Sequence, residues 1–199
     1  MGKITEDILK IKAVVASVSG VLHNNQDIIG TLDGKPFKGW LRSHYDGQGV
    51  SLLRAIGIHV CFVKVDSSDQ NDPIEQMIER WNELPSSMVP SVRSGWAHVR
   101  LIGGVIGQEQ IAPVELWLGS YGHTFADCAV MGHDLVQVPL MREAQKNGAF
   151  LIAPAQAEDV VKEISDHVTF RAGGNGAFRD FANLVIKVRG IDPTTLPTR

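Results

Sequence analysis

The stretch that decides the fold is IKAVVASVSGVLHN, residues 11–24, in which an apolar and β-branched run breaks into small polar residues at Ser17, Ser19 and Gly20. A run that is apolar on both faces is typical of a central strand in a parallel sheet. Ligands of open α/β sheets bind in the crevice beyond the carboxyl ends of such strands. The sequence therefore predicts the functional site at Ser17–Asn24.

The composition is that of an ordinary globular protein and argues against two classes of partner. The 199 residues fit one α/β domain over 1–199, and the formal net charge of -3 gives no basic footprint for nucleic acid. No apolar run approaches the roughly 20 residues that span a bilayer, and Met1–Lys10 lacks the apolar core of a signal peptide. We therefore expect a cytoplasmic protein without nucleic-acid or membrane partners. Cys61 and Cys128 lie in apolar strand-like runs, which predicts reduced core thiols.

Strands alternate with helices along the chain, which predicts a doubly wound parallel α/β sheet with helices on both faces. The pair Asp33-Gly34 suits the positive φ angles of a tight turn and predicts a β-hairpin over 27–45. Pro85–Gly95, with two prolines and four serines, predicts a flexible surface loop. Further strands are predicted at 58–65, 97–102, 128–132, 149–153 and 166–170, and helices at 46–55, 73–84, 111–118, 157–164 and 176–188.

Four motifs, in chain order, carry a resemblance to a known family. They are Gly20-Val21-Leu22, the run from Tyr45 through Arg54, Met131–Leu135, and Arg171–Ala177. Together they resemble the small haloacid dehalogenase (HAD) phosphatases that act on 3-deoxy-D-manno-octulosonate 8-phosphate, and the related domain of some acylneuraminate cytidylyltransferases. The resemblance covers nearly the whole chain and implies a HAD-like, Rossmann-like fold with the hairpin in place of a cap domain.

The resemblance also implies that the catalytic set is degenerate. In that family one aspartate attacks phosphorus, a second is the general acid and base, and further carboxylates hold magnesium. This chain has Ser17 and Ser19 at the two aspartates and Lys64 at the phosphate-binding threonine. The fourth motif reads Gly132-His133-Asp134 with Gln137 after it, so Asp134 is the one surviving metal-ligand candidate. An aspartyl-phosphate needs a carboxylate nucleophile and magnesium needs several oxygen ligands, so no intact catalytic or metal site is expected.

Seven residues are candidates for a ligand pocket: Ser17, Ser19, Gly20, Asp46, Lys64, Arg171 and Gly174. Because this pocket gains Lys64 and loses carboxylates, we expect it to be slightly cationic and to accept a small anion such as sulfate or phosphate. Asp46 and Arg54 either line it or pair on its rim. Gly173, Gly174 and Gly176 form either an anion-binding nest or only a turn; in the family this segment lies near a neighbouring subunit's site, which favours the nest.

Other interpretations of the polar residues are structural. Ser17 and Ser19 either line the site or cap the turn through hydroxyl-to-backbone hydrogen bonds. Adjacent residues at a strand end point to opposite sides, which argues against a Ser-His-Asp triad with His133 and Asp134. His23, His44 and His133 either converge on a transition metal or are scattered, and no pair has the tight spacing of a zinc site.

Two functions follow from these motifs. The first is a catalytically inactive HAD-like protein retained for oligomerisation or for binding a ligand or partner, with no cofactor. The second is an active phosphatase on 3-deoxy-D-manno-octulosonate 8-phosphate or a related sugar-acid phosphate, rebuilt around Lys64, His133 and Asp134 and using magnesium. The hairpin carries more apolar surface than a two-stranded ribbon can bury, and with the family's tetramers this predicts a homotetramer joined through 27–45. The apolar residues concerned are Ile28, Ile29, Leu32, Phe37, Trp40 and Leu41.

Overall fold

The computed structural model describes residues 2–66, 72–83 and 98–196. In chain order the helices and strands are α1 (Lys3–Lys10), β1 (Ala13–Ser17), β2 (Asp27–Leu32), β3 (Lys35–Trp40), α2 (His44–Ala55), β4 (His59–Val63), α3 (Pro73–Glu83), β5 (Arg100–Ile102), α4 (Ile111–Ser120), β6 (Cys128–Met131), α5 (Val138–Lys146), β7 (Phe150–Ala153), α6 (Asp159–Ile164), β8 (His167–Val168) and α7 (Ala177–Val188). Short 3₁₀ turns lie at 107–110, 125–127, 135–137 and 193–195.

Six of the strands form one parallel sheet in the order β5-β4-β1-β6-β7-β8. All five residues of the central strand β1 are buried. Their side chains alternate between the two faces: Val14 and Ala16 belong to the core that includes α2 and α7, and Ala13 and Val15 to the core that includes α4 and α5. The doubly wound α/β sheet that the sequence predicts is thus confirmed, and so is its buried central strand.

The hairpin is confirmed as an antiparallel ribbon of β2 and β3, separate from the main sheet. Asp33 and Gly34 have φ angles of 50° and 75°, the positive values that a tight two-residue turn requires. Strand alternation places Ile28, Leu32 and Phe37 on one face of the ribbon, where all three are exposed. The apolar side chains on that face therefore lack a partner among the described residues.

Several element boundaries differ from the sequence prediction. The strand predicted over 58–65 ends at Val63, so that Lys64 follows the strand, and the strand predicted over 166–170 is only two residues long. Helices α1 and α5 lay outside the predicted set, although α5 has a proline in its first turn and buries Leu140, Met141 and Ala144 on one stripe. The loop predicted at 85–95 lies outside the described residues.

Both cysteines are free and buried, as predicted. They lie on β4 and β6, the two strands that flank β1, within the same apolar core, and burial raises the pKa of both thiols. Neither thiol is therefore a reactive thiolate at neutral pH. No helix within the described residues is both long enough and apolar enough to cross a membrane.

Candidate functional site

A crevice of about 410 Å³ opens at the carboxyl ends of β1, β4 and β6. It forms there because the chain leaves each of these parallel strands at the same edge of the sheet. Its lining brings together all six predicted degenerate positions: Ser17, Ser19, Lys64, His133, Asp134 and Gln137. One wall of the crevice is formed by His23, which follows β1, and by Trp40, which ends β3 of the hairpin. The place predicted from the β1 stretch is thus where the crevice lies.

The two serines at the start of the crevice make hydrogen bonds within the protein. Ser17 is buried, and its hydroxyl donates to the main-chain carbonyl of Ser19 over 2.8 Å. The Ser19 hydroxyl donates to the side-chain oxygen of Asn25 over 3.2 Å. The capping interpretation therefore holds for Ser17, whereas Ser19 bonds a side chain. Neither hydroxyl gives its proton to a base, so no activated serine nucleophile is formed.

Lys64 does not make the crevice cationic, which corrects the sequence prediction. Its ammonium lies 2.5 Å from Asp72 Oδ2 and 2.7 Å from Glu75 Oε1, and Lys64 is almost fully buried. Burial lowers the pKa of Lys64, but the hydrogen bonds and charges of the two carboxylates outweigh it and raise the pKa. The charge of the lysine is therefore balanced within the protein. The sequence prediction missed these two partners because they lie on and just before α3, at the far end of the undescribed 67–71 segment.

The crevice wall holds two buried histidines. His133 is 5% exposed, and neither of its ring nitrogens has a hydrogen-bond partner among the described residues. Its ring lies against Gly20, where a Cβ atom would be 2.1 Å away, and burial lowers its pKa. The ring of His23 stacks on Trp40 with centroids 5.2 Å apart, and its Nδ1 donates to the Asn24 carbonyl over 2.6 Å. His44 does not line the crevice, so the three histidines do not converge.

Asp134 and Gln137 cap the turn that leads into α5. Asp134 Oδ1 accepts from the Leu135 amide over 2.5 Å, and Gln137 Oε1 accepts from the Asp134 amide over 3.1 Å. The Asp134 side chain also accepts from the Gln137 amide, so the two residues form a capping box at the start of the 3₁₀ turn 135–137. The Ser-His-Asp triad is not formed, since the Ser17 proton goes to a main-chain carbonyl.

The residues at this position do not fit the magnesium ion that the HAD resemblance implies. A magnesium site needs several oxygen ligands in near-octahedral geometry, with carboxylates among them. At the positions that match the family's metal ligands Asp134 is the one carboxylate, and it already caps a turn, as does Gln137. Within residues 2–66, 72–83 and 98–196, no three histidine, cysteine or acidic side chains are arranged to hold a metal.

Asp46 has a different role from the one predicted. It is fully buried on α2, and its two carboxylate oxygens accept from the amides of Gly176 (3.0 Å) and Arg179 (3.2 Å) at the start of α7. Burial raises the pKa of Asp46 to about 6, although these hydrogen bonds oppose the shift. Arg54 donates instead to the Trp81 carbonyl over 3.0 Å. Asp46 therefore neither lines the crevice nor pairs with Arg54; it holds α7 on α2.

The glycine-rich segment 172–176 is a packing turn, so the anion-nest interpretation is wrong. The amides of this segment already donate within the protein: Gly173 to Gln156 Oε1, Gly174 to the Val21 carbonyl, Asn175 to the Ala172 carbonyl and Gly176 to Asp46. A Cβ atom on Gly173 would lie 1.8 Å from the Gly20 carbonyl oxygen. The glycines therefore let this segment pack directly on the backbone that follows β1.

Three more predicted ligand-binding residues are structural. Gly174 packs on the backbone of Asn24, and the carbonyl of Gly20 accepts from Gln156 Nε2 over 2.7 Å. Arg171 pairs with Asp180 at 3.3 Å and lies over the ring of Tyr45. None of the three lines the crevice among the described residues, and their assignment to ligand binding stays a prediction. Sequence reasoning also missed Trp40 as a crevice wall, because its stacking on His23 is a tertiary contact.

The similarity of this chain to known proteins is found in its structure and not in its sequence. No protein-family model matches the chain, and no curated protein matches it by sequence. Solved structures do match it. The 3-deoxy-D-manno-octulosonate 8-phosphate phosphatase of Moraxella catarrhalis, in complex with magnesium, phosphate and KDO, is 24% identical with a TM-score of 0.70, over 94% of this chain and 92% of that one. The Yersinia pestis enzyme of the same name is 19% identical with a TM-score of 0.74, over 98% and 91%.

Two further structures extend the comparison. The cobalt-bound phosphatase of the same activity from Haemophilus influenzae is 23% identical with a TM-score of 0.70, over 92% of each chain. A putative HAD superfamily hydrolase from Legionella pneumophila is 24% identical with a TM-score of 0.72, over 94% of this chain and 87% of that one. This chain therefore has the fold of the HAD superfamily hydrolases, as its four motifs predict.

Proposed function

We propose that the chain is a catalytically inactive protein of HAD fold that binds a ligand at its crevice and assembles through its hairpin. The observation that carries the proposal is the state of Ser17 and Ser19. Both occupy the positions at which the resemblance expects catalytic aspartates, and both hydroxyls donate within the protein. Phosphoryl transfer through an aspartyl-phosphate has no nucleophile here.

The surrounding groups do not replace what is missing. Lys64 pairs with both Asp72 and Glu75, so its charge is not available to a transferring phosphoryl group. Asp134 and Gln137 hold the start of α5. Removal of a catalytic nucleophile lowers turnover by about 10⁶-fold in a well-studied hydrolase, so the combined loss supports inactivity.

The alternative is an active phosphatase on 3-deoxy-D-manno-octulosonate 8-phosphate or a related sugar-acid phosphate. It is favoured by the names of the structural neighbours and by His133, a neutral imidazole that lies in the crevice next to Asp134 without a partner among the described residues. Such an imidazole is chemically suited to general acid-base work. In this alternative His133 and Asp134 replace the missing aspartates, with Lys64 beside them.

A hydrolysis assay separates the two functions. The wild-type chain is incubated with 3-deoxy-D-manno-octulosonate 8-phosphate and with p-nitrophenyl phosphate, each with and without magnesium, and phosphate release is measured. We expect release at the level of the buffer blank. A His133→Leu variant, purified in parallel, is the control. Phosphate release by the wild type that disappears in this variant would establish the rebuilt phosphatase and refute the proposal.

The assembly part of the proposal is supported by the exposed face of the hairpin. Ile28, Leu32 and Phe37 lie together on that face, and each is at least 43% exposed. Ile29 and Leu41 are exposed as well, whereas Trp40 packs on the core and on His23. A two-stranded ribbon is marginal in water unless its apolar face is covered. A second copy of the chain supplies a matching face, which supports a homo-oligomer, with the tetramer as the expected state.

Two adjacent substitutions test the assembly. Leu32→Asp places a charge on the face that carries Ile28 and Phe37, and Thr31→Asp places the same charge on the opposite face. Sedimentation velocity at micromolar concentration should show an oligomer for the wild type and for Thr31→Asp, and monomers for Leu32→Asp, because a desolvated, unpaired carboxylate is costly at an interface. Trp40→Asp is less discriminating, since Trp40 also forms the crevice wall. A wild-type monomer would contradict the proposal.

A further inference from the structure

A second cavity, of about 370 Å³, adjoins the crevice between the end of the hairpin and α3. We call it the arginine cavity, because Arg42, which follows β3, and Arg80 on α3 both line it. The side chains of Trp40, Met77 and Trp81 contribute to the remaining wall. The cavity thus has the volume of a small-molecule site, and its lining combines apolar surface with cationic groups.

The charge of the arginine cavity is opposite to that of the crevice. Its described lining contains two arginines and no acidic side chain. The described lining of the crevice contains one lysine and four aspartates, Asp27, Asp66, Asp72 and Asp134. Two acidic residues of α3, Glu75 and Glu79, line the space between α3 and β5 instead. Because clefts lined by one sign of charge concentrate ions of the opposite sign, the described part of the arginine cavity attracts anions.

Arg42 is a half-buried cation that makes no hydrogen bond or ion pair with the described residues. Its guanidinium carbon lies 5.7 Å from the ring centroid of Trp81, so a cation–π contact holds the side chain in place. Asp46 is the acidic side chain whose charge acts on Arg42, but both oxygens of Asp46 accept from main-chain amides of α7. Burial outweighs this distant charge and lowers the pKa of Arg42. The N–H donors of Arg42 therefore remain available to a ligand.

The chemistry of the lining specifies what such a ligand must carry. A partly desolvated guanidinium is stabilised by an anion that accepts two parallel hydrogen bonds, and a carboxylate has the matching planar geometry. The Trp40 and Met77 side chains in the same lining suit a planar apolar body, because indole rings and thioethers contact aromatic rings favourably. A molecule that meets both requirements joins an aromatic ring to an acidic group.

We infer that the arginine cavity binds a small aromatic carboxylate, with its carboxylate on Arg42 and its ring against the wall that includes Trp40 and Met77. The inference goes beyond the proposed function, because none of the positions that match the family's catalytic residues lines this cavity. It also moves the anion preference that the sequence assigns to the crevice. The lysine of the crevice is paired within the protein, whereas Arg42 is not paired with any described residue.

Three naphthalene probes test the charge preference. Naphthoate, naphthamide and naphthylmethylammonium share one ring system and carry a negative, a neutral and a positive group. Binding is measured by NMR titration of the Trp40 and Trp81 indole N–H signals, assigned with Trp40→Phe and Trp81→Phe variants. We expect naphthoate to bind about tenfold more tightly than naphthamide, the effect of one charge-assisted hydrogen bond, and the ammonium to bind least. Equal affinities for naphthoate and naphthamide, or no shift of either signal at millimolar naphthoate, would overturn the inference.

Two matched variants locate the carboxylate site. Arg42→Gln removes the charge but keeps a side chain that can donate hydrogen bonds, and it should reduce naphthoate affinity to that of naphthamide. Arg142→Gln makes the same change at an exposed position on α5 and should leave both affinities unchanged. Unchanged naphthoate affinity in Arg42→Gln would also overturn the inference. No probe carries phosphate, so these outcomes are independent of the hydrolysis assay.

Discussion

The crevice and the glycine-rich segment 172–176 both coincide with motifs of the HAD resemblance, but the imidazole of His133 in the crevice and the amides of the segment are in opposite states. In the segment, the amides of Gly173, Gly174 and Gly176 each donate to a group elsewhere in the protein. In the crevice, both ring nitrogens of His133 lack such a partner among the described residues. The difference teaches that a retained motif can report on packing, whereas a replaced position can leave a buried polar group without a partner among the described residues.

The largest expected loss of stability is that caused by adding a side chain at a glycine of the segment 172–176. A Cβ atom on Gly174, where φ is +68°, would lie 2.1 Å from the backbone nitrogen of Asn24. Gly174→Ala should therefore lower the free energy of unfolding by about 3 kcal/mol or more, since backbone atoms must move. Gly190 has a similar φ of +66° and nothing within 4 Å, so Gly190→Ala should cost only about 1 kcal/mol. Urea unfolding measures both, and equal losses would show that the close packing is not limiting.

The next largest loss of stability is expected when the buried carboxylate of Asp46 is removed. Asp46→Ala leaves the amides of Gly176 and Arg179 at the start of α7 without their acceptor, which should cost about 2 kcal/mol at pH 7 in urea unfolding. Asp46→Asn keeps one acceptor oxygen and should lose less. An Asp46→Ala variant as stable as the wild type would mean that α7 does not depend on this contact.

Asp46 also gives the segment a pH dependence. Burial raises its pKa from 3.8 to about 6, so the folded state binds this proton more tightly than the unfolded chain does. The resulting stabilisation is fully present below pH 3.8 and is lost as the pH rises through about 6. The difference in unfolding free energy between wild type and Asp46→Asn should therefore shift in favour of the wild type from pH 7 to pH 5. A difference that is constant with pH would contradict the raised pKa.

The smallest change in stability is expected from a substitution in the crevice. His133→Leu replaces a buried imidazole that has no described partner with an apolar side chain of similar size. Because no intramolecular hydrogen bond is lost, the free energy of unfolding should change by less than about 1 kcal/mol or should rise. Chemical denaturation of His133→Leu and Asp46→Ala in parallel compares the two changes in unfolding free energy directly. A loss of stability as large as that of Asp46→Ala would show that His133 supports the fold as Asp46 does.

Local patterns in the sequence were sufficient to predict most of the fold. The apolar run of β1 and the Asp33-Gly34 turn depend on neighbouring residues, and both are confirmed. The position of the crevice followed from β1 alone. The roles of Asp46 and Lys64 depend on tertiary partners instead: Asp46 bonds Gly176, 130 residues away, and Lys64 bonds two carboxylates at the start of α3. Such pairing determines whether a polar residue faces a ligand or the protein, and no local pattern encodes it.

The central claim is that the crevice has the position of a phosphatase site without its metal chemistry, and magnesium binding tests it most directly. Isothermal titration calorimetry of the wild-type chain with magnesium chloride should give no saturable heat up to millimolar concentration, because the described residues contain no group of three histidine, cysteine or acidic side chains arranged to hold a metal. The Moraxella catarrhalis phosphatase, whose structure contains magnesium, is the positive control. Saturable binding of one ion per chain that is abolished by Asp134→Asn would contradict the account.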